Sequence, residues 1–170
     1  MRVPRTLSLA AALLALIGVS PLLAQRPIEL GIDGGFQVAF NGDAVWSFSV
    51  PFQQLRVGIM GSNRISYEPR VSFTHVQNGT SATLFVGGLH VLYRFGSSSG
   101  ARLYGTVGAN FLFADLGGNN NTDFTVGAGL GTRIPLIERL AVRLEGRYDR
   151  QFDAEVNSVS AIVGISFFTR

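Results

Sequence analysis

The 170-residue sequence contains no cysteine. Disulfides and thiolate metal sites are thereby excluded. Lysine is absent too, and all 14 basic residues are arginine. Arginine keeps its charge when buried and forks onto carboxylates, which suits an enclosed polar interior. Histidine occurs only at His75 and His90. After residue 25 there is no long apolar run, so no transmembrane helix is available to that part of the chain.

The one apolar run stands at the start. Arg2 and Arg5 precede Leu7 to Val19, 13 residues that are apolar except for Ser8. Pro21 breaks the run, and Leu22-Leu23-Ala24 follows. This order predicts a cleavable secretory signal peptide over residues 1–24, cut after Ala24. Without Arg2 and Arg5, 12 arginines face 11 acids, a balance of about +1. The basic composition therefore makes no case for a nucleic-acid partner.

What is present is alternation. "RLAVRLEGRYDR" (139–150) sets Leu140, Val142, Leu144 and Tyr148 on one parity and Arg139, Arg143, Glu145, Arg147 and Asp149 on the other. Period two is the mark of a β-strand with unlike faces. Strands are likewise predicted over 28–40, 45–60, 64–76, 82–95, 101–113, 123–134 and 157–168. In the second, the apolar parity passes from Trp46, Phe48, Val50 and Phe52 to Leu55, Val57 and Ile59. One extra residue flips every side chain, which implies a β-bulge near Pro51–Gln54. Pro69 removes one ladder donor from the third strand. The fourth is apolar on both parities over part of its length.

The total is eight strands and no helix after residue 25. Compact turns follow strands two, four and six: "GSN", "GSSSG" and "PLIE". Looser polar loops are expected at the other end, among them "QNGTS" and "ADLGGNNNT". An even strand number with short turns at one end and longer loops at the other is the outer-membrane pattern.

Three features decide which face meets lipid. Strands of 12 or 13 residues exceed the usual length of about 5–6, whereas about 9–11 tilted residues cross a bilayer. Glycines gather on the polar parity, including Gly31, Gly88, Gly108, Gly131 and Gly164. They make room for arginines in a lumen that is only wide enough for side chains. Aromatics fall near strand ends on the apolar parity, which predicts two girdles at the lipid interfaces. Tyr67, Tyr93, Phe95 and Phe167 belong to the short-turn rim, and Phe36, Phe73, Phe111, Phe113, Phe124 and Tyr148 lie towards the loop rim. A soluble, lipocalin-like barrel would instead turn the apolar parity inward and leave glycine covering the solvent face.

The expected fold is all-β: an eight-stranded antiparallel up-and-down transmembrane β-barrel over residues 25–170. Its lumen receives a charge network of Asp33, Arg56, Glu68, Arg70, His90, Arg143, Glu145, Arg147 and Asp149. Glu29, Arg64, Arg94, Arg102, Asn110 and Arg133 share that face. An Asp33–Arg56–Glu68 ladder with Arg70 nearby is expected, and a second group on strand seven. These charges form either a packed plug or the lining of a pore or proton-sensitive gate. The narrow lumen and the cost of unpaired buried charge favour the plug.

Catalytic, cofactor and metal residues are not expected. His75 has no His-x-Ser element beside it, and His90 reads as a lumen hydrogen-bonding group. "GAGLG" in strand six lacks the following helix that a nucleotide loop needs.

The signal peptide, eight strands, three tight turns, four looser loops and the closing "VGISFF" resemble the small OmpA/OmpX-type outer-membrane β-barrel proteins. The resemblance covers residues 28–168. It implies an outer-membrane location, contact with outer-membrane lipid and lipopolysaccharide, and a monomer delivered by periplasmic chaperones to the barrel-assembly machinery. Thr169-Arg170 follows the aromatic pair that usually ends such chains, which weakens the assembly signal. A peptidoglycan-binding second domain is not expected. The implied role is structural or surface-interacting, through the exterior loops. A narrow or gated channel comes second, ahead of a lipid-modifying enzyme or a soluble ligand carrier.

Overall fold

The computed structural model describes residues 27–169 except 42, 79, 97–100, 117, 118 and 154. The expected signal peptide lies outside the described residues. Eight strands follow one another: β1 (Ile28–Asn41), β2 (Asp43–Met60), β3 (Ile65–Asn78), β4 (Thr80–Arg94), β5 (Arg102–Leu116), β6 (Asn119–Ile137), β7 (Leu140–Gln151) and β8 (Asn157–Phe168). Each pairs antiparallel with the next, and β1 pairs β8 to close the barrel. Closure leaves no open sheet edge, the condition for crossing a bilayer with strands. Thr169 fastens the seam: its amide donates to the Ile28 carbonyl and its hydroxyl accepts from the Ile28 amide, both at 3.0 Å.

The parity change in β2 comes from an irregularity at the place expected, but with three surplus residues where one was expected. Asp33 pairs with Gln54, and Gly35 pairs with Ser49. Between these pairs β1 has Gly34 alone, whereas β2 carries residues 50–53. The surplus on β2 reverses its alternation while β1 keeps its own. Pro51 sits inside this irregular stretch, where its missing N–H costs no ladder bond. Pro69 acts similarly on β3. Pairing with β2 runs from Leu55↔Val71 to Met60↔Ser66, and no pair forms between Val57 and Gly58 and their opposites Pro69 and Glu68 among the described residues.

The ends of the barrel differ from the sequence expectation. "QNGTS" and "ADLGGNNNT" are not loops over their length. β3 runs to Asn78 and β4 starts at Thr80, while β5 runs to Leu116 and β6 starts at Asn119. Asn78 pairs Thr80, and Leu116 pairs Asn119, so the hairpins stay laddered almost to their tips. Nor is "PLIE" a turn: β6 continues through Pro135 and Leu136 to Ile137, with a register shift between Pro135 and Ile137. Polar and turn-prone residues are held in strand because the partner strand satisfies their backbone groups, which outweighs a weak local propensity.

Burial is inverted relative to a water-soluble domain. The largest fully buried side chains include Arg56, Arg70, Arg143, Glu29 and Glu68. The outer surface carries Leu130 at 68 % exposure, Phe111 at 63 % and Val107 at 58 %, with Leu30, Leu55 and Val163 around them. A continuous apolar belt of this kind is unstable in water and matched to lipid. Aromatics border it. Tyr67, Tyr93, Phe95 and Phe167 are exposed towards the short-turn end, and Phe73, Phe111, Phe113 and Tyr148 are exposed on the same outer face. Phe36 and Phe124 are partly covered. Phe124 lies 5.2 Å from Phe111 and stacks on Phe152 at 6.0 Å between ring centroids.

Val107 lies near the middle of β5 on the outer face, so Val107→Arg tests the environment of that face. In water an exposed substitution stays within about 0.5 kcal/mol of neutral. In a bilayer the same change costs about 2–4 kcal/mol near the midplane. Reversible unfolding in lipid vesicles is expected to give the larger value, and a neutral result would contradict a lipid-facing surface.

Candidate functional site: the barrel lumen

Inward positions come from every second residue of each strand, and they converge because the barrel is narrow. Arg56 on β2 donates from Nε to Asp33 Oδ2 of β1 at 2.8 Å and from Nη2 to the Ser166 hydroxyl of β8 at 2.5 Å. Its Nη1 pairs with Glu29 of β1. Arg133 on β6 reaches Glu29 Oε2 at 2.7 Å and, across the lumen, Glu68 Oε1 of β3 at 2.6 Å. Arg143 on β7 crosses to Glu68 Oε2 at 2.8 Å and pairs with Glu145 of its own strand. Arg70 on β3 bridges Glu68 Oε2 at 3.1 Å and Glu145 Oε1 at 3.2 Å. Arg147 lies 2.7 Å from Asp149 and 3.9 Å from Glu145.

These contacts join five arginines and five carboxylates into one chain of formal charge zero. It begins at Asp33, ends at Asp149 and ties β3 to β6 and β7 through the lumen. Neutrality is required because each buried ion without a partner costs several kcal/mol in desolvation. Two like charges still meet: Arg133 and Arg143 are register partners. The Glu68 carboxylate answers both, one oxygen to each, and each guanidinium carbon also lies 4.9 Å from the centroid of the Tyr104 ring. The ring face attracts both cations, and the phenol donates to Glu145 Oε2 at 2.9 Å. Glycine makes the approach possible. A Cβ on Gly31 would enter the Arg56 guanidinium, and one on Gly131 would enter the Tyr104 phenol.

The ion-pair chain fills only the middle of the lumen. At the short-turn end lies a cavity of about 270 Å³, lined by Arg94, Arg102, Arg133, Met60 and Phe168 among others. At the loop end a second cavity of about 220 Å³ has polar walls from Gln37, Ser158 and Ser160 and an apolar wall from Leu84, Val86 and Leu112. The expectation that side chains leave no spare volume is corrected here. Small residues of the outer half, such as Gly35, Ser72 and Ser158, leave space that arginines occupy lower down.

The outer-membrane family model, described as "outer membrane protein beta-barrel domain", matches residues 9–167. The chain belongs to this family. Solved outer-membrane barrels share its fold. Neisserial surface protein A (NspA) is 16 % identical with a TM-score of 0.65, over 82 % of this chain and 96 % of that one. Ail, the attachment invasion locus protein of Yersinia pestis, is 10 % identical with a TM-score of 0.60, over 84 % and 98 %. A major outer membrane protein from Thermus thermophilus is 12 % identical with a TM-score of 0.58, over 85 % and 99 %. No curated protein matches the chain. The family is the one that the eight-strand count and the polar inward face resemble, and this barrel is an outer-membrane barrel protein of the small OmpA/OmpX type.

Within this family member, the structure places Asp33, Arg56, Glu68, Arg70, Arg143, Glu145, Arg147 and Asp149 in the lumen. The two groups expected from the sequence are one, because Glu68 and Glu145 share arginines of both β3 and β7. His90 is also inward and fully buried, but it stands apart from the ion pairs and hydrogen-bonds Asn110 at 3.0 Å. Arg64 is not a lumen residue. It is exposed beyond the start of β3 and donates to the Tyr93 hydroxyl at 3.2 Å. Arg102 is exposed at the mouth. Sequence reasoning assigns no role to Tyr104 or Ser166. Their signal is the shared parity: Tyr104 alternates with Arg102, Thr106, Gly108 and Asn110.

Glu29, at direct pairing distance, is the principal acidic partner of Arg56 alongside Asp33, whereas Glu68 is 3.9 Å away. Arg56→Ala strands Asp33, takes one of two cations from Glu29 and leaves the ion-pair chain with a net negative charge, and it is expected to cost about 3–5 kcal/mol. Adding Glu29→Gln should recover part of the loss in the unfolding midpoint. Additive losses in the double variant would contradict the pairing.

Proposed function

We propose that this outer-membrane barrel does not conduct, and that it works as a structural and surface-interacting protein. The observation that carries the reading is the continuous, neutral chain of ion pairs between two cavities. A solute would have to part Arg143, Glu68 and Glu145, leaving charge unpaired in an enclosed space, and that barrier is high. The mature chain is proposed to begin after Ala24, to reach the outer membrane through periplasmic chaperones and the barrel-assembly machinery, and to sit as a monomer among phospholipid and lipopolysaccharide. No enzymatic activity is proposed for it.

The outward-facing part consists of laddered hairpin ends at β1–β2, β3–β4 and β5–β6 and a loop between Gln151 and Asn157. Asp153 and Glu155 are exposed there, beside the half-buried Arg150. Ail has been crystallised in complex with the heparin analogue sucrose octasulfate. The acidic outer end of the present chain does not suit a sulfated ligand, so a cationic or neutral surface partner is proposed for it.

A gated channel is the second reading, supported by the cavities on both sides of the ion-pair chain, which leave that chain as the main barrier. Single-channel recording on the folded barrel in planar bilayers separates the two. The wild type is expected to show no steady conductance, and Arg56→Ala is expected to leak. A steady wild-type conductance whose ion selectivity changes in Arg56→Ala, with stability unchanged, would replace the plug by the channel.

A further inference from the structure

The ion-pair chain uses its five acids on its own five arginines, and this leaves the short-turn mouth uncompensated. Arg94 and Arg102 both line the mouth cavity, and Glu138 is the only acid on its wall among the described residues. Arg102 is the register partner of Arg133, so two guanidinium-bearing residues stand directly opposite across β5 and β6. Like charges in that position are destabilising. Arg133 is answered by Glu29 and Glu68. The Arg102 side chain has no hydrogen-bond or ion-pair partner among the described residues. Arg94 donates from Nη2 to the Ser62 carbonyl at 3.0 Å, but its Nε is buried and unpartnered. Around these cations the wall is apolar, from Met60, Ile137, Leu140 and Phe168.

We propose that the short-turn mouth is a binding site for a phosphate- or carboxylate-type oxyanion that carries an apolar portion, held by Arg94 and Arg102. The guanidinium fork matches the two oxygens of such a group. The excess of one positive charge over Glu138 fits a monoanion. The apolar wall accepts the group to which the anion is attached. The short-turn end of an outer-membrane barrel faces the periplasm. The anion therefore comes either from a phospholipid headgroup of that leaflet or from a soluble periplasmic molecule, and the same chemistry serves both.

The test uses the full folded barrel in an uncharged maltoside micelle, with ¹⁵N resonances of the arginine Nε–H groups as the readout. Inorganic phosphate and hexyl phosphate are titrated against chloride at equal ionic strength. Both phosphates are expected to shift Arg94 and Arg102 saturably, hexyl phosphate at the lower concentration, while chloride does not. Arg102→Gln, at an exposed rim position, should weaken binding about tenfold or more. Arg64→Gln and Arg139→Gln change nearby rim charge outside the cavity wall and should leave binding unchanged. Nanodiscs identify the source. If phosphatidylglycerol, and not phosphatidylcholine, already sets the two resonances at their bound positions, the headgroup is the ligand. If they stay free there and still respond to hexyl phosphate, the ligand is soluble. No saturable shift in any arm, or equal weakening by the Arg64 and Arg139 variants, overturns the site.

Discussion

The requirement that every charge enclosed in the lumen be neutralised governs this barrel. Eight strands close around a narrow space that side chains fill across its middle, with a cavity at each end. Apolar residues occupy the outer face because lipid demands it, so the inner face receives what is polar. Ionised groups there are tolerable only in pairs. Five arginines meet five carboxylates, the face of one tyrosine ring takes two of the cations, and glycines beneath Arg56 and Tyr104 give the long side chains their space. Arginine suits this better than lysine, because one planar fork contacts several acids at once. Arg56 alone engages Asp33, Glu29 and Ser166.

Much of this is legible in the chain because period two is a local property. Leu140, Val142 and Leu144 against Arg143, Glu145 and Arg147 show two unlike faces without reference to any other strand. The parity switch around Pro51 likewise announces the irregularity between Asp33↔Gln54 and Gly35↔Ser49. What the sequence does not show depends on closure. The contact from Arg143 to Glu68 spans residues 75 apart, and only the curvature of the barrel brings them together. The hairpin ends escape sequence reasoning for a related reason. "NNNT" is a loop by composition, yet its backbone is satisfied by β5, and that pairing is not encoded in the local preferences of asparagine.

The same constraint explains why the two ends of the lumen differ from its middle. On β4, Leu84 and Val86 face inward in the outer half, while Glu68 on the neighbouring β3 anchors the ion pairs below. This is the stretch that is apolar on both parities in the sequence. It lines a vestibule where charge is sparse. At the opposite mouth the acids have been consumed by the interior, and basic residues remain. The barrel is thus a neutral core with an acidic outer end and a basic inner end. Each end is set by what the core leaves over.

The central claim is that the buried ions are energetically bound to one another across the lumen. A double-mutant cycle on Arg143 and Glu68 measures this directly, using Arg143→Met, Glu68→Gln and the double variant in reversible unfolding from lipid vesicles. The account predicts a coupling energy above about 1 kcal/mol, beyond the range of exposed pairs. Additive effects, with coupling below about 0.5 kcal/mol, would mean that the two charges are separately solvated and that the ion-pair chain does not hold the lumen closed.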